Sequence, residues 1–207
     1  MVSVSDELAT LLDKVKGYAE YVDSEIADRE NDFRSMCFWN IHNRIMITCE
    51  VVLFYTKAWE RVDVPLDLEN ELTERIVTVT RDMFVDTVSS IEKASKDCLN
   101  AYKLQDLKNM SMIGKSYLYL RNIVSSSTEL GLISKEEARD WESILLMRNL
   151  VTHNNSVADR SQVFEMDDLK ISMRPGRMMK GPARTFIVLT DRVVDLFKDW
   201  LTKVDGL

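Results

Sequence analysis

The chain has 207 residues, 45% of them apolar and 29% charged, with a net charge of −7. A chain of that size builds a core without disulfide or metal staples. Its acidic balance argues against a protein that coats nucleic acid non-specifically, while leaving room for a local basic site.

Only 6 glycines and 3 prolines interrupt the sequence, which favours long helices over a many-turned β fold. The three cysteines, Cys37, Cys49 and Cys98, form no C-x-x-C pair. They read as reduced thiols of a cytoplasmic protein. Met1–Ala9 lacks the apolar core of a secretion signal. No run approaches the ~20 apolar residues of a membrane span, so no membrane partner is expected.

In chain order, the spacing of apolar residues predicts a first helix over 6–30, with Ser5 as its N-cap and Leu8, Leu11, Leu12, Val15 and Ala19 on one face. A second helix covers 33–61 and ends at Val64-Pro65, because the residue before proline avoids the α region. A third covers 66–100, with room for a break in the Val- and Thr-rich stretch Thr78–Ser90. A fourth runs over 105–129 and is closed by Gly131. Ser134 and Glu137 have capping-box spacing and open a fifth helix, 135 to about 152. Leu169–Met173 and Thr185–Leu189 then read as short β-like runs around a loop rich in Gly, Pro and basic residues. Thr190 caps a last helix over 191–204. The expected fold is therefore predominantly all-α. It is one domain over 1–207, a bundle of about five or six helices, with a hairpin or ordered loop at about 163–189 before the C-terminal helix.

Histidine chemistry has two places to occur. His42, in WNIHNR, reads as a helix residue satisfied by its neighbours. Cys37, His42 and Cys49 do not converge on one helical face and lack a fourth ligand, so no metal site is expected. His153 lies in MRNLVTHNNS at the end of the fifth helix. With Arg148 as origin, Thr152 falls at about 40°, Asn149 at about 100° and His153 at about 140°. These four polar groups share one side of the helix. One turn earlier, Ile144–Met147 is apolar nearly all round. A second subunit or deep burial in a single bundle accounts for such a girdle.

The string Arg148-Asn149-Leu150-Val151-Thr152-His153 resembles the R-x4-6-H signature of the HEPN superfamily. With 14 arginines in the chain the spacing alone is weak. Asn149 straight after the arginine and the position late in a bundle helix make it specific. The resemblance implies a HEPN-like bundle and a metal-independent endoribonuclease without a cofactor, built as a homodimer with a composite site from two such motifs. It makes Arg148 and His153 catalytic, with Asn149 in support. The expected reaction is attack of the RNA 2′-hydroxyl on the adjacent phosphate. A toxin or antiviral role follows by analogy, with an antitoxin or a nucleotidyltransferase-like protein as partner. Residues 174–184 carry Arg174, Arg177, Lys180 and Arg184 and no acid, and this basic stretch is expected to guide RNA. The competing reading is a non-catalytic helical module that binds a protein or a nucleotide. On that reading Arg148 simply meets an acid, the helix dipole favours His153 at a C-terminus, and the basic stretch is a solvated loop.

Overall fold

The computed structural model describes residues 3–26, 32–60, 66–101, 104–114, 117–153, 157–159, 161–166, 169–177 and 181–205. The elements among them are seven α-helices, one π-helical turn and one two-stranded antiparallel sheet, so the fold is predominantly all-α with a short hairpin. No helix among the described residues is long and apolar enough to cross a membrane.

Helix α1 spans Val4–Tyr21 and starts on Ser3 rather than on Ser5. Ser3 Oγ accepts from Asp6 N at 3.1 Å and Asp6 Oδ2 accepts from Ser3 N at 3.2 Å, which satisfies two N–H groups that the helix leaves free. The helix widens into a π-turn, Val22–Ile26, and the expected continuation over 27–30 lies outside the described residues. That turn carries Asp23 to helix α2, Phe33–Trp59, where it accepts from Ser35 and, at 2.9 Å, from Trp39 Nε1. The Val64-Pro65 stop also lies outside the described residues.

Helix α3, Leu66–Ala101, is unbroken over 36 residues. The Val- and Thr-rich stretch does not interrupt it, because Thr80 and Ser89 turn their hydroxyls back onto the helix. Thr80 donates to the Ile76 carbonyl at 2.9 Å and Ser89 to the Val85 carbonyl at 2.8 Å. Packing along α2 and the C-terminal helix then overrides weak local propensity.

The single helix expected over 105–129 is two: α4, Gln105–Met112, and α5, Leu120–Glu129. Gly114 stands between them at φ +67°, a left-handed conformation that favours glycine. Gly131, at φ +75°, closes α5 as expected: its N–H donates to Thr128 O at 3.1 Å and the N–H of Leu132 to Ser127 O at 2.9 Å. Helix α6, Lys135–His153, opens on the expected capping box, with Glu137 N to Ser134 Oγ at 3.1 Å and Ser134 N to Glu137 Oε2 at 2.6 Å.

Strand β1, Gln162–Met166, pairs with β2, Leu169–Met173, in the register Gln162↔Met173 to Met166↔Leu169. The partner of 169–173 is therefore the segment before it. Thr185–Leu189 is instead the opening of α7, Ala183–Asp205. Thr190 does not cap that helix. It is buried inside it and donates to the Phe186 carbonyl at 2.7 Å.

Apolar side chains from all seven helices and both strands meet in one core. Helix α7 runs through its centre and is held to the helices around the candidate site by polar contacts. Arg192 Nε donates to Asp140 of α6 at 2.8 Å, and Trp200 Nε1 donates to Ser127 Oγ of α5 at 3.0 Å in a buried bond. At the other end of α7, Asp205 accepts at 2.7 Å from Arg34, a buried arginine that also binds Asp32, the N-cap of α2.

Candidate functional site

The girdle on α6 fixes how the helix sits. Trp141, Ile144, Met147 and Leu150 are buried in the chain's own core, together with Leu145. Burial within one bundle therefore accounts for the girdle, and a second subunit is not needed to cover it. With those faces anchored, the remaining side of α6 turns to solvent beside α3 and α5. His153 is the last residue of the helix and is exposed.

Arg148, Asn149 and His153 line one cleft of about 350 Å³ there. Thr152 does not line it and bonds back into the helix, donating to the Arg148 carbonyl at 2.9 Å. The other walls come from distant parts of the chain. Helix α3 contributes Glu92, while the start of α5 contributes Tyr119, Arg121 and Asn122. Periodicity and motif reading missed all four. Glu92 and Lys96 did leave a signal, a Glu four residues before a Lys, but that spacing is common on any solvated helix face.

Charge in the cleft is organised around Arg148. Its Nη2 donates to Glu92 Oε2 at 3.4 Å and its Nη1 to Asn149 Oδ1 at 3.1 Å. The other oxygen of Glu92 accepts from Lys96 Nζ at 2.7 Å. Glu92 is thus shared by two cations, and the guanidinium is held from both ends. Arg148 Nε is buried with no hydrogen-bond partner among the described residues. A guanidinium has five N–H donors; Nη1 and Nη2 each keep a second N–H for an incoming anion, whereas the buried Nε is closed to it. Asn149, adjacent in sequence, orients the guanidinium through its side-chain oxygen.

The chain matches no protein-family model, no curated protein and no solved structure. The cleft must therefore be read from its own chemistry.

The basic stretch divides. Arg174 and Arg177 are exposed on a turn after β2. That turn is tied to Ala158, a few residues beyond α6, by Gly176 N to Ala158 O at 2.8 Å and Ala158 N to Arg177 O at 3.1 Å. Neither arginine lines the cleft. Arg184, in the first turn of α7, reaches Glu7 of α1 at 2.9 Å and lines a separate groove with Lys14 and Asp191. Lys180 lies outside the described residues.

The second histidine is elsewhere. His42 is half-buried on α2, its ring edge-on to Trp39 with centroids 5.6 Å apart. Its Nδ1 is buried without a hydrogen-bond partner among the described residues, so its neighbours do not fully satisfy it. Cys37 and Cys98 are buried and Cys49 is half-buried, all as free thiols. Burial holds the Cys98 thiol up at about 12 and pushes Cys37 and Cys49 up as well. Among the described residues no cluster of three or more His, Cys, Asp or Glu is arranged to hold a metal.

Proposed function

We propose that this chain is an endoribonuclease of HEPN type that cleaves RNA without a metal and acts as a homodimer. The observation that carries the reading is the meeting of Arg148, Asn149 and His153 on one solvent-open cleft at the end of α6. The reaction requires little else, because RNA brings its own nucleophile. The 2′-hydroxyl oxygen bonds to the adjacent phosphorus and the P–O5′ bond breaks. One histidine takes the 2′-hydroxyl proton, and a second gives a proton to the departing O5′. The products are a 2′,3′-cyclic phosphate and a 5′-hydroxyl. Arg148, steadied by Asn149 and Glu92, holds the phosphate and offsets the charge that grows on it.

The need for two histidines is the argument for a dimer. The chain has two, and His42 does not line the cleft. A second copy supplies the missing acid or base. The exposed Arg174 and Arg177 guide the strand from outside the cleft. A toxin or antiviral role, with an antitoxin or nucleotidyltransferase-like partner, follows from the motif resemblance.

The Arg148–Glu92 contact favours a second reading, a non-catalytic helical module in which this arginine only completes an ion pair and a protein or nucleotide partner binds. One assay separates the two. Purified protein in EDTA is expected to cut single-stranded RNA to cyclic-phosphate ends, and His153→Ala and Arg148→Ala are each expected to slow it by about 100-fold or more. Cleavage that survives both substitutions removes the site assignment. Absence of cleavage by the unaltered protein favours the binding module.

A further inference from the structure

We infer that Tyr119, with Tyr117 beside it, is a shelf on which an unpaired nucleobase next to the scissile phosphate stacks, so that the cleft takes single-stranded rather than duplex RNA. This rests on the reading of the cleft as an RNA-cleaving site.

Tyr119 precedes the first residue of α5 in an extended conformation, φ −112° and ψ 152°, and its side chain makes no capping bond to the helix. The ring lines the cleft. It is 55% exposed and Tyr117 is 69% exposed, so two neighbouring aromatic rings stand in water. Their centroids are 6.3 Å apart at an interplanar angle of 56°. Aromatic rings carry a large apolar surface that a folded chain ordinarily covers. Here the chain leaves both open at the mouth of a site.

The surroundings select the occupant. Lys96 Nζ lies 5.9 Å from the Tyr119 ring centroid and 2.7 Å from Glu92, which in turn meets Arg148. Two side chains, Lys96 and Glu92, therefore stand between the ring and the guanidinium that would hold a phosphate. Arg121 and Glu142 stand exposed beside it, Asn122 is buried, and Leu120, Leu145 and Leu146 complete the lining. An aromatic face beside cations fits a nucleotide, whose base stacks while its phosphate meets the charge. Bases within a duplex are stacked on their neighbours and cannot lie on such a shelf, whereas a splayed single-stranded base can.

The test separates stacking from cleavage. The probe is a short RNA that carries 2-aminopurine and one 2′-deoxy sugar at the scissile position, so that it binds without reacting. The unaltered protein and Tyr119→Phe are expected to quench its fluorescence. Tyr119→Leu is expected to lose the quench and about tenfold or more in affinity. Phe54→Ala, which removes an exposed aromatic of α2 outside the cleft, is expected to bind like the unaltered protein. The same sequence in a duplex is expected to give no quench. Tyr119 is more than half exposed and meets α5 through its backbone carbonyl rather than its side chain, so Tyr119→Leu should keep its fold, and its thermal unfolding checks this. Equal binding and quench by Tyr119→Leu overturns the shelf even if RNA is cleaved. Tyr119-dependent quench in a protein that cuts no RNA keeps the shelf and removes the nuclease reading. Conversion of a dimer to a monomer by Tyr117→Ala or Tyr119→Leu in sedimentation assigns the rings to a second copy and overturns the shelf.

Discussion

Arg34 and Arg148 both meet carboxylates, and they do so in opposite ways. Arg34 is closed in. Its side chain is 4% exposed, its Nε and Nη2 grip both oxygens of Asp32 at 2.9 and 3.0 Å, and its Nη1 reaches Asp205 at 2.7 Å. Arg148 is 23% exposed, meets Glu92 at 3.4 Å, and leaves Nε without a partner among the described residues. The first geometry engages all three nitrogens of the guanidinium out of water and ties the start of α2 to the end of α7. The second steadies a guanidinium and keeps part of its capacity for something else. An arginine with an acid beside it is therefore not one kind of object, and exposure and the length of its contacts separate a strut from a site.

The largest expected effect follows from that contrast. Arg34→Ala leaves the fully buried Asp32 carboxylate without its bidentate partner, a loss of about 3–5 kcal/mol. Arg148→Ala should cost about 1 kcal/mol or less, because the pair is long and reached by water. Urea unfolding of the two variants measures both. Equal losses would mean that Arg148 is as structural as Arg34. In RNA cleavage the ranking is expected to invert, with Arg148→Ala inactive under conditions where Arg34→Ala remains folded.

A smaller effect is expected at Glu92. It does not face the phosphate as a donor, so its part is to position Arg148. Glu92→Gln keeps the shape and one acceptor oxygen but removes the charge that Lys96 and Arg148 share. Cleavage should fall about tenfold, less than for Arg148→Ala, with kcat lowered as well as KM raised, because the guanidinium offsets charge that grows in the transition state. Retained full activity would show that Asn149 alone orients the guanidinium.

The same division explains what the sequence made legible. Helix α6 could be read almost completely. Its capping box, its girdle and the offset from Arg148 to His153 are all local, and local spacing becomes geometry directly. The other half of the cleft comes from α3 and α5, and Glu92 is 56 residues from Arg148. No local pattern couples such residues, and a Glu–Lys pair on α3 looks like any solvated helix face. The errors in the fold have similar causes. Thr185–Leu189 read as a strand because α7 is packed by α1, α3 and α6, and a helix buried on several sides loses its period in a short window. The break between α4 and α5 was written in Gly114, a single residue inside an otherwise helical spacing. The hairpin's existence was visible in Leu169–Met173, but not its partner, because pairing is fixed by the neighbour and not by the strand alone.

The two ends of α6 allow one last and smallest test. The C-terminal end is open and carries the cleft, while the N-terminal end is closed by Glu137, which accepts from Ser134 N at 2.6 Å and Lys203 Nζ at 2.9 Å. Partial burial pushes the Glu137 carboxyl up. The Ser134 N–H, Lys203 and the Ser134 hydroxyl outweigh that and hold it below the ordinary value of 4.5. A carboxylate held low in the folded chain stabilises it fully above that ordinary value. The contribution is lost as pH falls through the lowered value. Glu137→Gln keeps the capping oxygen and removes only the charge. Its stability should trail the unaltered protein by about 0.5 kcal/mol at pH 7, and the gap should close as the medium becomes more acidic than the lowered value. RNA cleavage at pH 7 should not change, because the substitution lies at the far end of α6 from His153. A gap that persists in acid would mean that the glutamine misplaces the cap itself, and a loss of cleavage would mean that the two ends of α6 are mechanically coupled.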